Sequence, residues 1–290
     1  MDPAGTLKQQ QDLEIWREPW EKEMAKLPPD LRRPFLDPRP FNIATHARKI
    51  IDLLEEHGIP CCVTGTKALC YYGAPRICST LEFCVPTEQL ATADYIFSSG
   101  PAKENYTAWK GRQPGAEAWV SGSLYHTFPR YRLNHDGHLF GFYLVPSIDW
   151  RFDCAPENFE YSAQKHIPYP KLNLFAQSLL ERQDTGDLQD LVDGMDLTEE
   201  WGEGNLKFDD PGTEIREATP QEVKDDPINV MFGTEVYELP EGPTDFREVF
   251  ARLVRTKSRR IGLESPPGLY DTKYRAKDSP DPRTRIRFHV

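Results

Sequence analysis

Apolar residues recur at helical spacing in six segments of the chain. The predicted helices are Ala44–His57, Thr66–Tyr72, Glu88–Phe97, Lys171–Arg182, Asp187–Asp193 and Asp245–Arg255. Thr87 precedes the third helix and is a suitable N-cap, because threonine is favoured at that position. Gly58, Gly73 and Gly194 follow three of the helices and are expected to end them, since glycine readily adopts a left-handed conformation.

Short apolar runs and alternating segments predict the strands. Ile77–Val85 alternates apolar with polar or small residues, so Thr80 and Glu82 share its polar face. The other predicted strands are Cys61–Thr64, Ala116–Val120, Leu124–Leu133, His138–Val145 and Ile148–Cys154. Helices and strands alternate in the first third of the chain. This order predicts an α/β (α+β) fold in which helices flank a mixed sheet.

Composition divides the chain into four regions. Residues 1–40 are rich in proline and predict an N-terminal arm, whereas 41–206 contain the predicted strands and most helices and predict the core. Residues 207–242 are acidic and proline-rich, and we interpret them as a linker. Residues 243–290 predict a basic helix followed by a C-terminal extension.

The net charge of −11 conceals an acidic body and a basic C-terminal segment. From Arg247 to Val290 the chain has 12 Lys and Arg against 5 Asp and Glu, so the remainder carries −18. Two interpretations stay open: the basic segment folds back onto the acidic body, or it binds RNA, with no role for DNA. The candidate RNA-binding residues are Arg252, Arg255, Lys257, Arg259 and Arg260.

The sequence has neither membrane nor secretory features. No run of eighteen apolar residues occurs, and the polar N-terminus lacks the apolar segment of a signal peptide. The six cysteines include no Cys-x-x-Cys pair, and we expect reduced thiols. A cytoplasmic protein with no membrane partner is therefore predicted.

The turn after Cys61–Thr64 is the first candidate site. Gly65 and Thr66 open a helix there, and the N–H groups of a helix N-terminus favour an anion such as phosphate. Glu82 lies on the polar face of the next predicted strand. A carboxylate at such a position indicates either a divalent metal ion between it and the phosphate, or that no phosphate binds there at all.

Gly65-Thr66, a short helix and then Thr80-Leu81-Glu82-Phe83 resemble the pattern of the polymerase-beta-like nucleotidyltransferases. In that family two acids on the strand bind two metal ions, and a third acid comes from a later strand. Here Thr80 stands at the first acid position, which implies damaged two-metal chemistry and no metal ion at the site.

The resemblance places a third acid on the predicted strand Ile148–Cys154. Asp149 and Asp153 share one face of that strand with Arg151, and the sequence does not choose between the two acids. Alternatively, these three side chains form an ion-paired ladder on the sheet surface, with little effect on stability.

The segments VTGTKALCYYGAPR and STLEFCVP also resemble a group of ascomycete proteins described as nucleotidyltransferase-like, over Phe41–Leu206. Size, cytosolic character and the basic segment resemble the arginine-containing cyclodipeptide synthases, which draw aminoacyl groups from tRNA. This resemblance implies a transferase of fungal secondary metabolism that makes an arginine-containing cyclodipeptide, with aminoacyl-tRNA as partner and no cofactor. It implies catalytic roles for Glu82, Asp149, Asp153 and Thr66, and substrate-binding roles for Gly65, Lys67, Ser79, Thr80 and Arg151. A covalent intermediate would need Ser79, Thr66 or Cys70 as nucleophile.

Two other functions stay open. A nucleotidyl or phosphoryl transferase would use Mg²⁺ with ATP, held by Glu82 together with Asp149 or Asp153. A non-catalytic module would bind a nucleotide or RNA. Acids spaced by three in the next helical region invite a metal site, but we interpret them as a solvated helix face. They are Asp184, Asp187, Asp190, Asp193 and Asp196.

Overall fold

The computed structural model describes residues 43–77, 80–109, 127–134, 141–163, 165–208, 245–262 and 268–284. Several predictions lie outside these residues: the N-terminal arm at 1–40, the strand Ala116–Val120, nearly all of the linker at 207–242, and Ser79. They therefore stay predictions.

The described residues form helices α1 to α9, numbered in chain order. They are α1 (Ile43–Glu56), α2 (Gly65–Tyr71), α3 (Leu90–Ser98), α4 (Ser147–Trp150), α5 (Leu172–Glu181), α6 (Thr185–Met195), α7 (Glu199–Asn205), α8 (Phe246–Arg255) and α9 (Lys257–Arg260). Asp184 and Asp245 cap α6 and α8, because their carboxylates accept hydrogen bonds from backbone N–H groups in the first helical turn.

The central sheet contains five strands. They are β1 (Cys62–Thr64), β2 (Thr80–Val85), β3 (Tyr106–Ala108), β4 (Arg130–Leu133) and β5 (Gly141–Pro146). Their spatial order is β1-β2-β5-β4-β3, in which β2 and β5 run parallel and the other neighbours run antiparallel. A separate hairpin, β6 (Phe159–Tyr161) and β7 (Pro168–Pro170), contacts β1. The prediction of a mixed sheet flanked by helices is confirmed at this level.

Aromatic side chains pack one face of the sheet. Phe97 of α3 meets Phe142 of β5 and Tyr106 of β3 edge to face, with ring centroids 5.0 Å and 5.3 Å away. Phe83 of β2 lies 5.6 Å from Phe142 on the same side. All four are buried. Because burying a large apolar side chain contributes roughly 1.5–3 kcal/mol, this face anchors the core. Polar side chains of the sheet lie on the opposite face, together with buried Cys62 and Cys84.

The first helices agree with the sequence prediction to within a few residues. Gly58 and Gly73 follow α1 and α2 with φ of 71° and 92°, so both act as the expected stops. Gly73 also lies against α6, since a Cβ there would come 2.6 Å from the carbonyl oxygen of Gly194.

Two predicted helix ends are wrong. The hydroxyl of Thr87 does not cap α3; it accepts a hydrogen bond from the backbone N–H of Ile148 at 3.0 Å and so binds the start of α4. Gly194 does not stop α6, which continues to a left-handed Asp196 with φ 52°. Gly194 serves close packing instead, because a Cβ there would lie 2.5 Å from the carbonyl oxygen of Tyr72.

The predicted strand Ile148–Cys154 is also wrong. Its first residues belong to α4, and Arg151 ends that helix in the left-handed region with φ 53°. The indole of Trp150 is buried and lies 5.7 Å from the ring of Phe175 on α5. This packing favours one helical turn over an extended segment, so Asp153 falls in the loop that follows.

No helix in the described part of the chain is long and apolar enough to cross a membrane.

Candidate functional site

The turn from β1 into α2 brings Gly65 against Glu82 of β2. Gly65 has φ +59°, a conformation that glycine adopts without strain. A Cβ at this position would lie 2.5 Å from the carboxyl carbon of Glu82 and 2.7 Å from its Oε2. Any other residue here would strain the backbone and displace the carboxylate of Glu82. The carboxylate also gives the turn a negative charge, so a phosphate approaching this side would meet a like charge.

Thr64 ends β1 beside the same carboxylate. It pairs with Glu82 in the antiparallel register, so both side chains lie on one face of the sheet. Thr64 is fully buried, and its hydroxyl oxygen has no hydrogen-bond partner among the described residues. A buried hydroxyl without a partner is unfavourable and is consistent with a position that a ligand satisfies. Lys67 and Thr66 follow in α2, one buried and one half-buried.

The strand register extends this face across the sheet. Glu82 lies opposite Tyr143 of β5, and Tyr143 lies opposite Arg130 of β4. A second row runs from Thr80 through Gly141 to Arg132. Because directly opposed residues point to the same side, these residues form one surface, which we call the polar face. The polar face comprises Thr64, Thr80, Glu82, Arg130, Arg132 and Tyr143.

An indole ring lies over the far end of the polar face. Trp109 extends β3 by one hydrogen bond, from its backbone N–H to the carbonyl oxygen of Arg130 at 2.8 Å. The guanidinium carbon of Arg132 is 3.9 Å from the centre of the Trp109 ring, and that of Arg130 is 5.1 Å from the Tyr143 ring. The indole lies above Gly141, because a Cβ at that position would be in van der Waals contact with the Trp109 ring, at 3.9 Å. This end combines a stacking surface with positive charge.

Sequence reasoning missed Trp109, Tyr143, Arg130 and Arg132 as site residues. The alternation within RYRL and GFY was visible, but which strands lie beside β2 was not. The polar face depends on the parallel pairing of β2 with β5, which joins segments about sixty residues apart in sequence.

The structure does not bring the predicted third acid to Glu82. Asp149 lies in α4, beyond the end of β5, whereas Glu82 is near the start of the parallel strand β2. One carboxylate oxygen of Asp149 is 3.7 Å from a guanidinium nitrogen of Arg182. Burial raises the pKa of Asp149, and the charges of Arg182 and Arg151 oppose this. Asp153 and Arg151 are exposed in the adjacent loop, so the predicted ladder is absent as well.

Among the five strands of the central sheet, the polar face contains a single carboxylate, that of Glu82. Nor does Glu82 belong to a set of side chains that could hold a metal ion. Across the described residues, the one such set consists of Cys62, Cys84 and Cys154, whose sulfur atoms all lie within 4.8 Å of one another. Of the candidate nucleophiles, the thiol of Cys70 donates to the carbonyl oxygen of Arg76 at 3.3 Å.

The acids of α6 are not a solvated face, and that interpretation is wrong. Asp193 is fully buried, and both of its oxygens accept hydrogen bonds from Arg260 at 2.7 Å. Asp190 is 4% exposed and accepts a hydrogen bond from Arg76 at 2.6 Å. We call these carboxylates the acid row: Asp187, Asp190, Asp193 and Asp196.

The basic C-terminal segment contacts the acid row and α7. Lys257 pairs with Asp196, and Lys273 lies 3.6 Å from a carboxylate oxygen of Asp190. The guanidinium of Arg255 donates to both oxygens of Glu199, at 3.0 Å and 2.7 Å. Three candidate RNA-binding cations, Arg255, Lys257 and Arg260, thus join the segment to the body. The other two, Arg252 and Arg259, are exposed.

No protein-family model matches the sequence, and a search of curated proteins finds none that matches. The geometry of the polar face is therefore the basis for a functional proposal.

Proposed function

We propose that the chain is a transferase on a nucleotidyltransferase-like scaffold that works without the two-metal chemistry of that family. The order helix-strand-helix-strand-helix from α1 to α3, and the left-handed Gly65 that opens α2, support the scaffold. The composition of the polar face carries the proposal. It has one carboxylate, Glu82, next to the buried hydroxyl of Thr64, and two guanidinium groups on β4, with β5 between β2 and β4. Two metal ions would need a second, bridging acid at Thr80.

The reaction is synthesis of an arginine-containing cyclodipeptide from two aminoacyl-tRNA molecules. The α-amino group of each residue attacks the ester carbonyl of the other, so two peptide bonds form and two ester bonds to the terminal riboses break. Each amine proton passes to the departing ribose hydroxyl, and two deacylated tRNA molecules are released. Positioning and proton transfer suffice for this chemistry.

The polar face offers a complementary group for each part of such a substrate. Glu82 accepts the guanidinium of an arginyl group, because carboxylate and guanidinium form two charge-assisted hydrogen bonds. Trp109 stacks the terminal base of tRNA, and Arg132 supplies positive charge for its phosphate. Tyr143 lies between Glu82 and Arg130, where its phenol can donate a proton to the departing hydroxyl.

The tRNA backbone extends toward the basic C-terminal segment in this proposal. Arg252 and Arg259 are exposed cations there, whereas Arg255, Lys257 and Arg260 form ion pairs with the body. Fewer phosphate contacts are therefore expected than the charge of the segment suggests, and RNA affinity should depend modestly on salt.

The decisive experiment is mass spectrometry of small molecules from a bacterial host that expresses the full chain. The expected result is a new arginine-containing cyclodipeptide that disappears with Glu82→Gln, because the amide loses the charge that binds the guanidinium. Glu157→Gln is the matched control, since this exposed glutamate lies in a turn outside the polar face. It should leave product formation unchanged.

Other outcomes would contradict the proposal. Product formation that survives Glu82→Gln would show that the polar face is not the site. Absence of any product, with RNA copurifying, would identify a binding module. Nucleotide transfer from ATP that requires Mg²⁺ would identify a conventional nucleotidyltransferase. An acid from another position would then supply the metal ligand that Thr80 cannot provide.

A further inference from the structure

Three cysteine thiols converge on the same side of the sheet as Glu82. Cys62 of β1 and Cys84 of β2 are register partners, so their side chains share one face. Cys154 reaches them from the loop after α4, and its thiol donates to the carbonyl oxygen of Cys84 at 3.3 Å. All three sulfurs lie within 4.8 Å of one another, and each residue is at most 2% exposed. We call this set the thiol triad.

The thiol triad differs from the other cysteines of the described chain. Cys61 is equally buried but does not belong to the set, and Cys70 is half-buried in α2. A single buried cysteine behaves as a small apolar side chain and needs no further explanation. Three sulfurs that come from two strands and a distant loop form, by contrast, a ready set of soft ligands.

We propose that the thiol triad binds one Cu(I) ion in a three-coordinate thiolate site. Metal–sulfur bonds of about 2.3 Å in one plane would place the three sulfurs about 4.0 Å apart, so a small contraction of the present spacing suffices. Soft sulfur ligands favour Cu(I) and Zn²⁺, and zinc sites in proteins are almost always four-coordinate. The thiol triad supplies three ligands within the described residues, which favours Cu(I).

Binding is ligation without a change of oxidation state. Three copper–sulfur bonds form, and the protons that the thiols hold are released to solvent. Cys154 is the ligand on an irregular segment, between exposed Arg151 and the turn Pro156–Asn158. An outward movement of this loop gives the ion a path to the site without breaking the pairing of β1 with β2.

The test is an anaerobic titration of the reduced full chain with Cu(I), in competition with a chromogenic Cu(I) chelator. The expected result is one ion per chain for the wild type, with X-ray absorption detecting three sulfur neighbours. Cys154→Ala should lose this ion because one of three ligands is gone. Cys61→Ala should retain it, as a buried cysteine outside the thiol triad. Circular dichroism confirms that each variant is folded. Where an alanine variant does not fold, the serine variant at the same position, Cys154→Ser or Cys61→Ser, replaces it because serine keeps the volume.

Four results would overturn the inference: no copper bound by the folded wild type, copper retained by Cys154→Ala, copper lost with Cys61→Ala, or tighter binding of Zn²⁺ by the same thiols. A disulfide between Cys62 and Cys84 that forms on mild oxidation, with no copper uptake after reduction, would identify a redox pair instead. Since the readout is bound metal, failure here is distinguishable from failure of the proposed transferase activity.

Discussion

The polar face and the acid row use carboxylates in opposite ways. On the acid row, Asp190 and Asp193 are buried and are paired with cations from distant parts of the chain. The polar face has one carboxylate, Glu82, which packs on a left-handed glycine beside the buried Thr64 hydroxyl, for which the described residues supply no hydrogen-bond partner. The acid row therefore stabilises the packing of the chain, whereas the polar face has the features of a binding site.

Burial explains why the acid row needs its partners. A carboxylate removed from water loses solvation, and burial raises the pKa of Asp193 while the hydrogen bonds from Arg260 oppose this shift. Such a pair adds little net stability compared with apolar packing, but breaking it leaves a buried charge without compensation. The ion pairs of the acid row thus hold the C-terminal segment on α6.

The largest expected effect is on stability, from Asp193→Asn. The amide cannot match the two charge-assisted hydrogen bonds that Arg260 donates to Asp193. The guanidinium therefore stays beside position 193 without a counter-charge. Loss of one partner of a buried pair costs about 3 kcal/mol of unfolding free energy. Urea denaturation measures this as a lower midpoint at an unchanged slope.

The matched control is Asp52→Asn in α1. Asp52 accepts a hydrogen bond from Arg48 at 2.7 Å, one helical turn away, and its side chain is 53% exposed. Exposed pairs of this spacing contribute only about 0.5 kcal/mol. Equal losses in the two variants would mean that the acid row is no more than a set of surface ion pairs.

The second prediction concerns the polar face, through Gly65→Ala. The added methyl group would collide with the carboxylate of Glu82, and alanine disfavours a φ of +59°. Strain of this kind costs about 2 kcal/mol, and relief of the collision moves the carboxylate away from the turn. Both the urea midpoint and formation of the cyclodipeptide should therefore fall.

Gly204→Ala in α7 is the control for this substitution. No atom lies within 4 Å of a Cβ at that position. Alanine should raise stability there by about 0.5–1 kcal/mol, because it loses less backbone entropy in a helix than glycine does. If Gly65→Ala were as stabilising as Gly204→Ala, the close approach of Glu82 to the turn would be refuted.

The sequence pattern correctly predicted the features that neighbouring residues determine. The stops at Gly58 and Gly73 and the polar side of β2 at Thr80 and Glu82 could be read from spacing and glycine placement. The helix α4 could not, because apolar residues at 148, 150 and 152 fit a strand, and the burial of Trp150 against α5 decides the conformation.

The sequence did not predict which distant residues contact the acid row and the polar face. Nothing local to Asp193 indicates Arg260, which is 67 residues away, and nothing local to Glu82 indicates Tyr143. Acids spaced by three look the same whether solvent or a returning segment covers them. Sequence spacing thus located the candidate carboxylate Glu82, while the fold supplied its surroundings and reversed the interpretation of the acid row.

The smallest effect is a pH dependence that the acid row contributes through Asp187. Burial raises the pKa of this carboxyl, the charge of Asp184 adds to the shift, and Arg76 opposes it. The folded state therefore holds the proton more tightly than the unfolded chain, whose aspartate pKa is about 3.9. Stability linked to this group is present below that value and is lost as the pH rises through the folded pKa.

Asp187→Asn removes this contribution, so the variant should gain stability relative to the wild type as the pH rises from about 4 toward neutral. Urea midpoints across that range measure the difference. Asp281→Asn is the control with the opposite sign, because hydrogen bonds from Arg283 lower the pKa of Asp281. Its contribution is lost only as the pH falls below about 4, so it should leave the slope above that value unchanged. An unchanged slope in Asp187→Asn would assign the proton uptake to another carboxyl, such as Asp193 or Asp149, whose pKa burial also raises.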